Sequence, residues 1–267
     1  MAVSPRDHMF NTDPNLVNYH ALGWAALDCI RLGLLLAQRD TVTSILDLPS
    51  GHGRVTRILR AEYPDAQVTA CDIDRDGVDF CAETFGARPV YGHERPQDIE
   101  LGAGSFDLIW CGSLLTHMNE PLWHGFLDLF ESALMPGGVL LFSASGRCIA
   151  PRLRDPKFAE LYLDSEERRE AILRSFAETG FGYADYQLPD DFRESLSLPR
   201  SFGISLAAPS WVCSLLEQRT GLQLLGYLEG RWGAQDVIAC VRVPEVREDP
   251  PRFRVPLGHW QDQLPAE

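Results

Sequence analysis

The chain has 267 residues, 45% hydrophobic and 23% charged, enough apolar material to bury the core of one large domain and too much for a disordered chain. Its formal net charge is −14, and no basic run compensates, which argues against a nucleic-acid partner because phosphate backbones are repelled. Seven scattered cysteines with no CxxC pair fit a reducing compartment and argue against a cysteine-ligated zinc site.

The opening MAVSPRDHMF lacks the apolar region of a secretory signal. The longest apolar stretch, residues 21–37, is broken by Asp28 and Arg31 and is too short to span a bilayer. The expectation is a cytoplasmic protein with no membrane insertion. Residues 14–38 predict a helix: Leu16, Tyr19, Leu22, Gly23, Ala26, Ile30 and Leu34 recur at spacings of three and four.

Strands and helices then alternate. Residues 44–48 predict a short strand. Val55, Ile58 and Leu59 mark a helix that stops near Pro64. A second strand follows at 67–71, and a helix marked by Val78, Cys81, Ala82 and Phe85 is capped by Gly86. Strands are expected at 88–91, 106–111 and 139–143, the last after the turn Pro136-Gly137-Gly138, with a helical face at Trp123, Phe126, Leu127, Phe130 and Leu134 between. Strand–helix alternation with short turns implies a parallel sheet covered on both faces.

Residues 148–210 break the pattern. They are polar and proline-dotted, with one predicted helix at about 164–179, opened by Asp164 and Glu167 in a capping-box arrangement. A short helix at 211–219 follows. Strands at 222–229 and 236–243 then form an antiparallel hairpin across the loop 230–235. The tail from Pro244 carries Phe253 and Trp260. The expected organisation is an N-terminal helical cover (1–40), an α/β domain (41–243) with a lid insertion (148–210), and a tail (244–267).

The segment from Ser44 to Arg54 carries the chemistry. An apolar strand enters a small-residue turn that opens a helix. Gly51 and Gly53 put no Cβ between backbone and ligand, and the helix start offers unpaired N–H groups. Asp47, at the strand end, is placed to accept a hydrogen bond from a cationic amino group. Asp72 ends the second strand 19 residues after Gly53, the spacing of a carboxylate that binds ribose hydroxyls.

Residues LDLPSGHGR resemble the first motif of class I S-adenosylmethionine (SAM)-dependent methyltransferases, with Pro49 in place of the first glycine. Pro49 has no N–H, so any cofactor contact from that nitrogen is lost. ACDID resembles the second motif, FDLIWCGSLLTHM the fourth strand and its loop, and LMPGGVLLFS the fifth strand with its preceding turn.

The resemblance implies a Rossmann-like, doubly wound, seven-stranded sheet with a terminal antiparallel hairpin, and a SAM cofactor released as S-adenosylhomocysteine (SAH). It implies that Asp47, Pro49, Ser50, Gly51 and Gly53 form the loop around the methionine end, with Arg54 meeting the carboxylate. Asp72 would bind the ribose, Ile73 the adenine face, and His93 and Glu94 the adenine amino group. Cys111, Gly112 and Ser113 would floor the sulfonium.

For the acceptor side, His117 follows the fourth strand and is the candidate base, on the premise of a near-neutral pKa. Tyr19 and His20 on the first helix, and Arg147 after the fifth strand, are candidate acceptor contacts. His52 occupies a variable loop position and is expected to face solvent. A softer resemblance, to bacterial methyltransferases of surface-polysaccharide assembly, rests on Phe202-Gly-Ile-Ser-Leu, Trp211 and Gln235-Asp236-Val237.

The reading is therefore methylation of a hydroxyl or amine on a small-molecule or carbohydrate acceptor, without a metal. A non-catalytic SAM-binding regulatory protein is the alternative. An NAD(P)-dependent oxidoreductase fits less well, because Thr56 stands where its third glycine would be, Asp47 would face a pyrophosphate, and the only lysine is Lys157. Monomer and homodimer stay open.

Overall fold

The computed structural model describes residues 2–11, 17–155, 163, 165–190, 193, 198–199 and 201–243. The chain opens with α1 (His8–Asn11) and α2 (Val17–Leu36). It continues as β1 (Ser44–Asp47), α3 (Thr56–Glu62), β2 (Gln67–Asp72), α4 (Arg75–Phe85) and β3 (Arg88–Tyr91). After the crossover come β4 (Phe106–Cys111), a 3₁₀ turn at Leu115–His117, α5 (Glu120–Ala133) and β5 (Leu134–Ala144). The insertion contributes α6 (Glu166–Thr179), β6 (Phe181–Asp185) and β7 (Gly203–Ala207). The chain then adds α7 (Pro209–Glu217), β8 (Leu222–Trp232) and β9 (Gln235–Arg242).

Seven strands form one sheet in the order β3-β2-β1-β4-β5-β9-β8, parallel through β5 and antiparallel at β9 and β8. This is the expected α/β, doubly wound architecture. The strand order reverses between β1 and β4, which opens a crevice at their carboxyl ends. One face of the sheet is packed by α5 and α7 through Trp123, Phe130, Phe142 and Leu215. The other is covered by α2 and α3 through Ile30, Ile45, Leu59 and Leu141.

Local chemistry sets the helix ends. Asp74 caps α4 by accepting the Asp76 and Gly77 N–H groups, and Gly86 closes it at φ 64°. Asn119 caps α5. In the insertion the cap is Ser165, which accepts from the Arg168 N–H, rather than Asp164, which lies outside the described residues.

The insertion holds more than the one expected helix: β6 and β7 pair antiparallel as a separate small sheet. Leu153, Ile172, Tyr186 and Leu206 give it a core of its own. The terminal hairpin is tighter than expected. Residues 230–232 and Gln235 belong to strands, leaving Gly233 and Ala234, both at positive φ, as a two-residue turn of the kind that matches strand twist. The expected packing of the tail through Phe253 and Trp260 lies outside the described residues.

Candidate active site

β1 delivers its loop into the crevice. The Leu48 N–H donates to Trp110 O and the Ser50 N–H to Cys71 O, each at 3.0 Å, so the loop is tied to strands on both sides. Pro49 sits between them, where its missing N–H leaves no donor unsatisfied. Gly51 (φ +48°) donates its N–H to Asp72 Oδ2 at 2.7 Å, and a Cβ added to it would meet nothing within 4 Å. Gly53 differs. A Cβ there would lie 2.6 Å from the Phe85 ring and 3.0 Å from Cys81 Sγ. Its glycine serves the packing of α4 against the loop, which corrects the expectation that Gly53 exposes backbone to a ligand.

Asp72 also accepts the Asp74 N–H at 3.0 Å. Burial raises its pKa, and these two N–H donors pull it back. The carboxylate is thus fixed at the end of β2, followed by the half-buried Ile73. Asp47 is 1% exposed. Its Oδ2 accepts the Thr56 hydroxyl at 2.6 Å, and its Oδ1 has no partner. Burial pushes its pKa up to about 7, against the Thr56 hydrogen bond and with the help of the Asp72 charge.

Arg54 is half-buried, with its Cζ 5.6 Å from the Trp232 ring centroid and 6.0 Å from that of Tyr19. Among the described residues its guanidinium has no hydrogen-bond acceptor and no ion-pair partner. Burial lowers its pKa, partly offset by Tyr19, Asp7 and Asp47. A carboxylate oxygen without a donor and a guanidinium without an anion stand on one loop. That pair suits a zwitterionic amino acid, its ammonium on Asp47 and its carboxylate on Arg54.

Other expected contacts are placed differently. The Tyr19 hydroxyl donates to Asp7 Oδ2 at 2.7 Å and receives Arg57 Nη2 at 3.2 Å, so it is closed into an internal network rather than offered to an acceptor. His20 is half-buried with its ring edge-on to Tyr19. His52 is buried, not solvent-facing. Its Nε2 lies 3.2 Å from Asp74 and its Nδ1 has no partner. Burial presses its pKa down, but the Asp74 hydrogen bond and charge outweigh this and leave it raised. His93 and Glu94 are exposed, and His93 lies 3.3 Å from Asp98. Arg147 is exposed and ion-paired through both nitrogens to Glu229, so its guanidinium already has an anion.

At the end of β4, Cys111 is buried, and burial raises its thiol pKa. Gly112 is confined by the indoles of Trp110 and Trp232, each within 2.8 Å of where a Cβ would stand. Ser113 (φ +63°) donates its N–H to Ser143 Oγ at 2.7 Å. Ser143 donates to Gln235 Oε1 at 2.7 Å, and Gln235 Nε2 donates to Ser113 Oγ at 2.9 Å.

This ring joins β4, β5 and β9. Gln235, Trp232 and Asp7 were not anticipated as site residues. Because β9 runs antiparallel to β5, its first residue lands at the carboxyl end of the parallel strands, a consequence of topology rather than of any local motif.

His117 is half-buried and stacked on Phe202 with ring centroids 4.5 Å apart. Its Nδ1 lies 2.9 Å from Gly203 O and 3.0 Å from Tyr186 Oη. A carbonyl only accepts, so Nδ1 carries the proton and Nε2 is left bare. Burial pushes its pKa down to about 4, against the Gly203 hydrogen bond. The near-neutral pKa assumed for a base is therefore corrected.

Residues 45–138 match the family model of a methyltransferase domain. Over that stretch the chain is similar to methyltransferase domains. The chain is 26% identical over 155 residues to a malonyl-[acyl-carrier protein] O-methyltransferase of Laribacter hongkongensis, covering 51% of each chain. A namesake from Paenibacillus sp. is 26% identical over 183 residues, covering 61% of this chain and 64% of the relative.

The chain spans about half the length of the first of these relatives. Two solved structures share the fold. The 1,6-didemethyltoxoflavin-N1-methyltransferase of Burkholderia thailandensis, holding SAH, has a TM-score of 0.54 at 14% identity over 91% of this chain and 92% of that one. The PH0226 protein of Pyrococcus horikoshii has a TM-score of 0.55 at 12% identity over 88% and 98%. Among the described residues no helix is long and apolar enough to cross a membrane.

Proposed function

We propose that this chain is an O-methyltransferase acting on a small acceptor at the carboxyl ends of β4 and β5, beside the insertion. The observation that carries the cofactor placement is the unpartnered pair on one loop, Asp47 Oδ1 and the Arg54 guanidinium. Asp47 holds the cofactor's ammonium and Arg54 its carboxylate, while Asp72 binds the ribose hydroxyls, with Ile73 on the adenine. His93 and Glu94 are kept as adenine-side residues, Pro49, Ser50, Gly51 and Gly53 as the loop, and Cys111, Gly112 and Ser113 as the floor. SAM supplies an electrophilic methyl on a sulfonium, and the protein's part is to align the acceptor with it and exclude water.

Support for oxygen as the acceptor atom comes from the O-methyltransferase names of the curated relatives. His117 refines the choice. Its bare Nε2 accepts a hydrogen bond, but a group titrating near 4 is a weak proton abstractor at neutral pH. It orients an acceptor better than it deprotonates one. An oxygen already ionised at neutral pH needs no base, so a carboxylate or an acidic hydroxyl suits this site best, with the bare Nε2 accepting from a neighbouring N–H or O–H of the acceptor molecule rather than from the ionised oxygen. The sugar hydroxyl stands on the sequence resemblance alone, and an acid tethered to a carrier protein stands on the relatives' names.

The test is SAH release from SAM with three acceptor panels: free carboxylates, sugars, and malonyl-loaded acyl-carrier protein. At saturating SAM, turnover with a carboxylate is expected to be flat from pH 6 to 9, and His117→Gln to lower kcat while leaving SAH affinity unchanged. Turnover confined to sugars, rising with pH, would refute the ionised-acceptor reading. Tight SAH binding with no turnover on any panel would favour a non-catalytic SAM-binding protein.

A further inference from the structure

We propose that Asp7, on the segment before α1, is a positioning residue of the cofactor site: it fixes Tyr19, and through Tyr19 it holds Arg54 where that guanidinium receives the cofactor carboxylate. This rests on the SAM placement proposed above. Asp7 is 4% exposed. Its Oδ1 accepts the Phe10 N–H at 3.2 Å and its Oδ2 accepts the Tyr19 hydroxyl at 2.7 Å. The Tyr19 hydroxyl oxygen also accepts a hydrogen bond from Arg57 Nη2 at 3.2 Å. Arg57 donates in turn to Gly53 O and to Ala2 O, each at 2.9 Å.

The start of the chain and the glycine loop are thereby tied to one hydroxyl. The ring that carries this hydroxyl, with the Trp232 indole, flanks the Arg54 guanidinium. Arg6, one residue earlier, pairs with Asp76 in the first turn of α4, the helix capped by Asp74, whose own N–H bonds Asp72. The segment thus reaches from the ribose side of the site to the carboxylate side.

A buried carboxylate is a costly way to anchor a chain end when an apolar side chain would do. Here its charge also lies within electrostatic reach of Arg54, yet it makes no ion pair with that residue. It can therefore steady the guanidinium through Tyr19 without occupying the place of the ligand.

The experiment compares two ligands in calorimetric titrations of the full chain. SAH carries the amino-acid tail. 5′-Methylthioadenosine keeps the adenosine and the sulfur but has no carboxylate or ammonium. Asp7→Ala is expected to weaken SAH about tenfold, the size of one lost positioning hydrogen bond, and to change 5′-methylthioadenosine less than twofold.

Tyr19→Phe keeps the ring and should reproduce the effect in a milder variant, with Asp7→Glu restoring part of it. Arg54→Ala should weaken SAH at least as much, and Asp7→Ala placed on top of it should add nothing, since the two act on one contact. Equal losses for both ligands, additive losses in the double variant, or no loss would overturn the proposal. A wild-type protein that binds neither ligand would overturn the cofactor placement beneath it.

Discussion

Asp47→Asn is expected to abolish SAH binding while making the unliganded protein more stable at pH 8. The side chain is buried with one oxygen unpartnered, and its pKa stands at about 7, where an ordinary aspartate titrates near 3.9. A carboxyl raised in this way contributes stability that is complete below pH ~3.9 and is lost as pH rises through 7. At pH 8 the native state holds an uncompensated buried carboxylate, at a cost on the order of 4 kcal/mol as an upper bound.

Asparagine keeps an acceptor for the Thr56 hydroxyl and carries no charge. Urea titration at pH 8 should therefore show a higher midpoint for the variant. Binding runs the other way, because the ammonium of SAH needs the ionised form. Wild-type affinity should fall toward tenfold per pH unit below 7, and the variant should show no such slope. Unchanged SAH affinity in Asp47→Asn would remove Asp47 from the site.

Gly51→Ala and Gly53→Ala should separate binding from stability. Both glycines have positive φ, which costs an alanine roughly 1–2 kcal/mol. At Gly51 the new methyl meets nothing within 4 Å. It stands in the open space of the loop, so stability should fall by about that backbone cost while SAH affinity falls tenfold or more. At Gly53 the methyl is driven to 2.6 Å from the Phe85 ring, and overpacking adds about 1–3 kcal/mol to the strain. That variant should lose roughly 2–5 kcal/mol in urea unfolding, with a smaller effect on the SAH affinity of the folded fraction. The reverse ranking would mean that Gly53, not Gly51, faces the cofactor.

Where local chemistry decided the outcome, the residues could be read directly. The apolar runs at 44–47, 67–72 and 106–111 became β1, β2 and β4, Gly86 became the cap of α4, and Asp47 and Asp72 came to the strand ends around the Gly51 loop. Where the outcome depended on residues distant in the chain, they could not.

Gly51 and Gly53 look alike in sequence, and only Phe85, thirty-two residues beyond Gly53, shows that one of them is there for packing. Arg147 meets Glu229 and Tyr19 meets Asp7 across long separations, so both lost their expected roles as acceptor contacts. His117 owes its low pKa to burial, which outweighs its hydrogen bond to Gly203 of β7, an element the polar composition of the insertion concealed. Gln235 reached Ser113 through the antiparallel return of β9, which no motif encodes.

The most direct test of SAM binding at the Asp47–Arg54 loop is thermal unfolding of the full chain with SAH, with NAD, and with NADP. At about a hundred times its dissociation constant a ligand of the native state adds roughly 2.7 kcal/mol, a shift of several degrees. A rise in Tm is expected with SAH alone, and none in Asp47→Asn. A rise with a nicotinamide cofactor and none with SAH would contradict it.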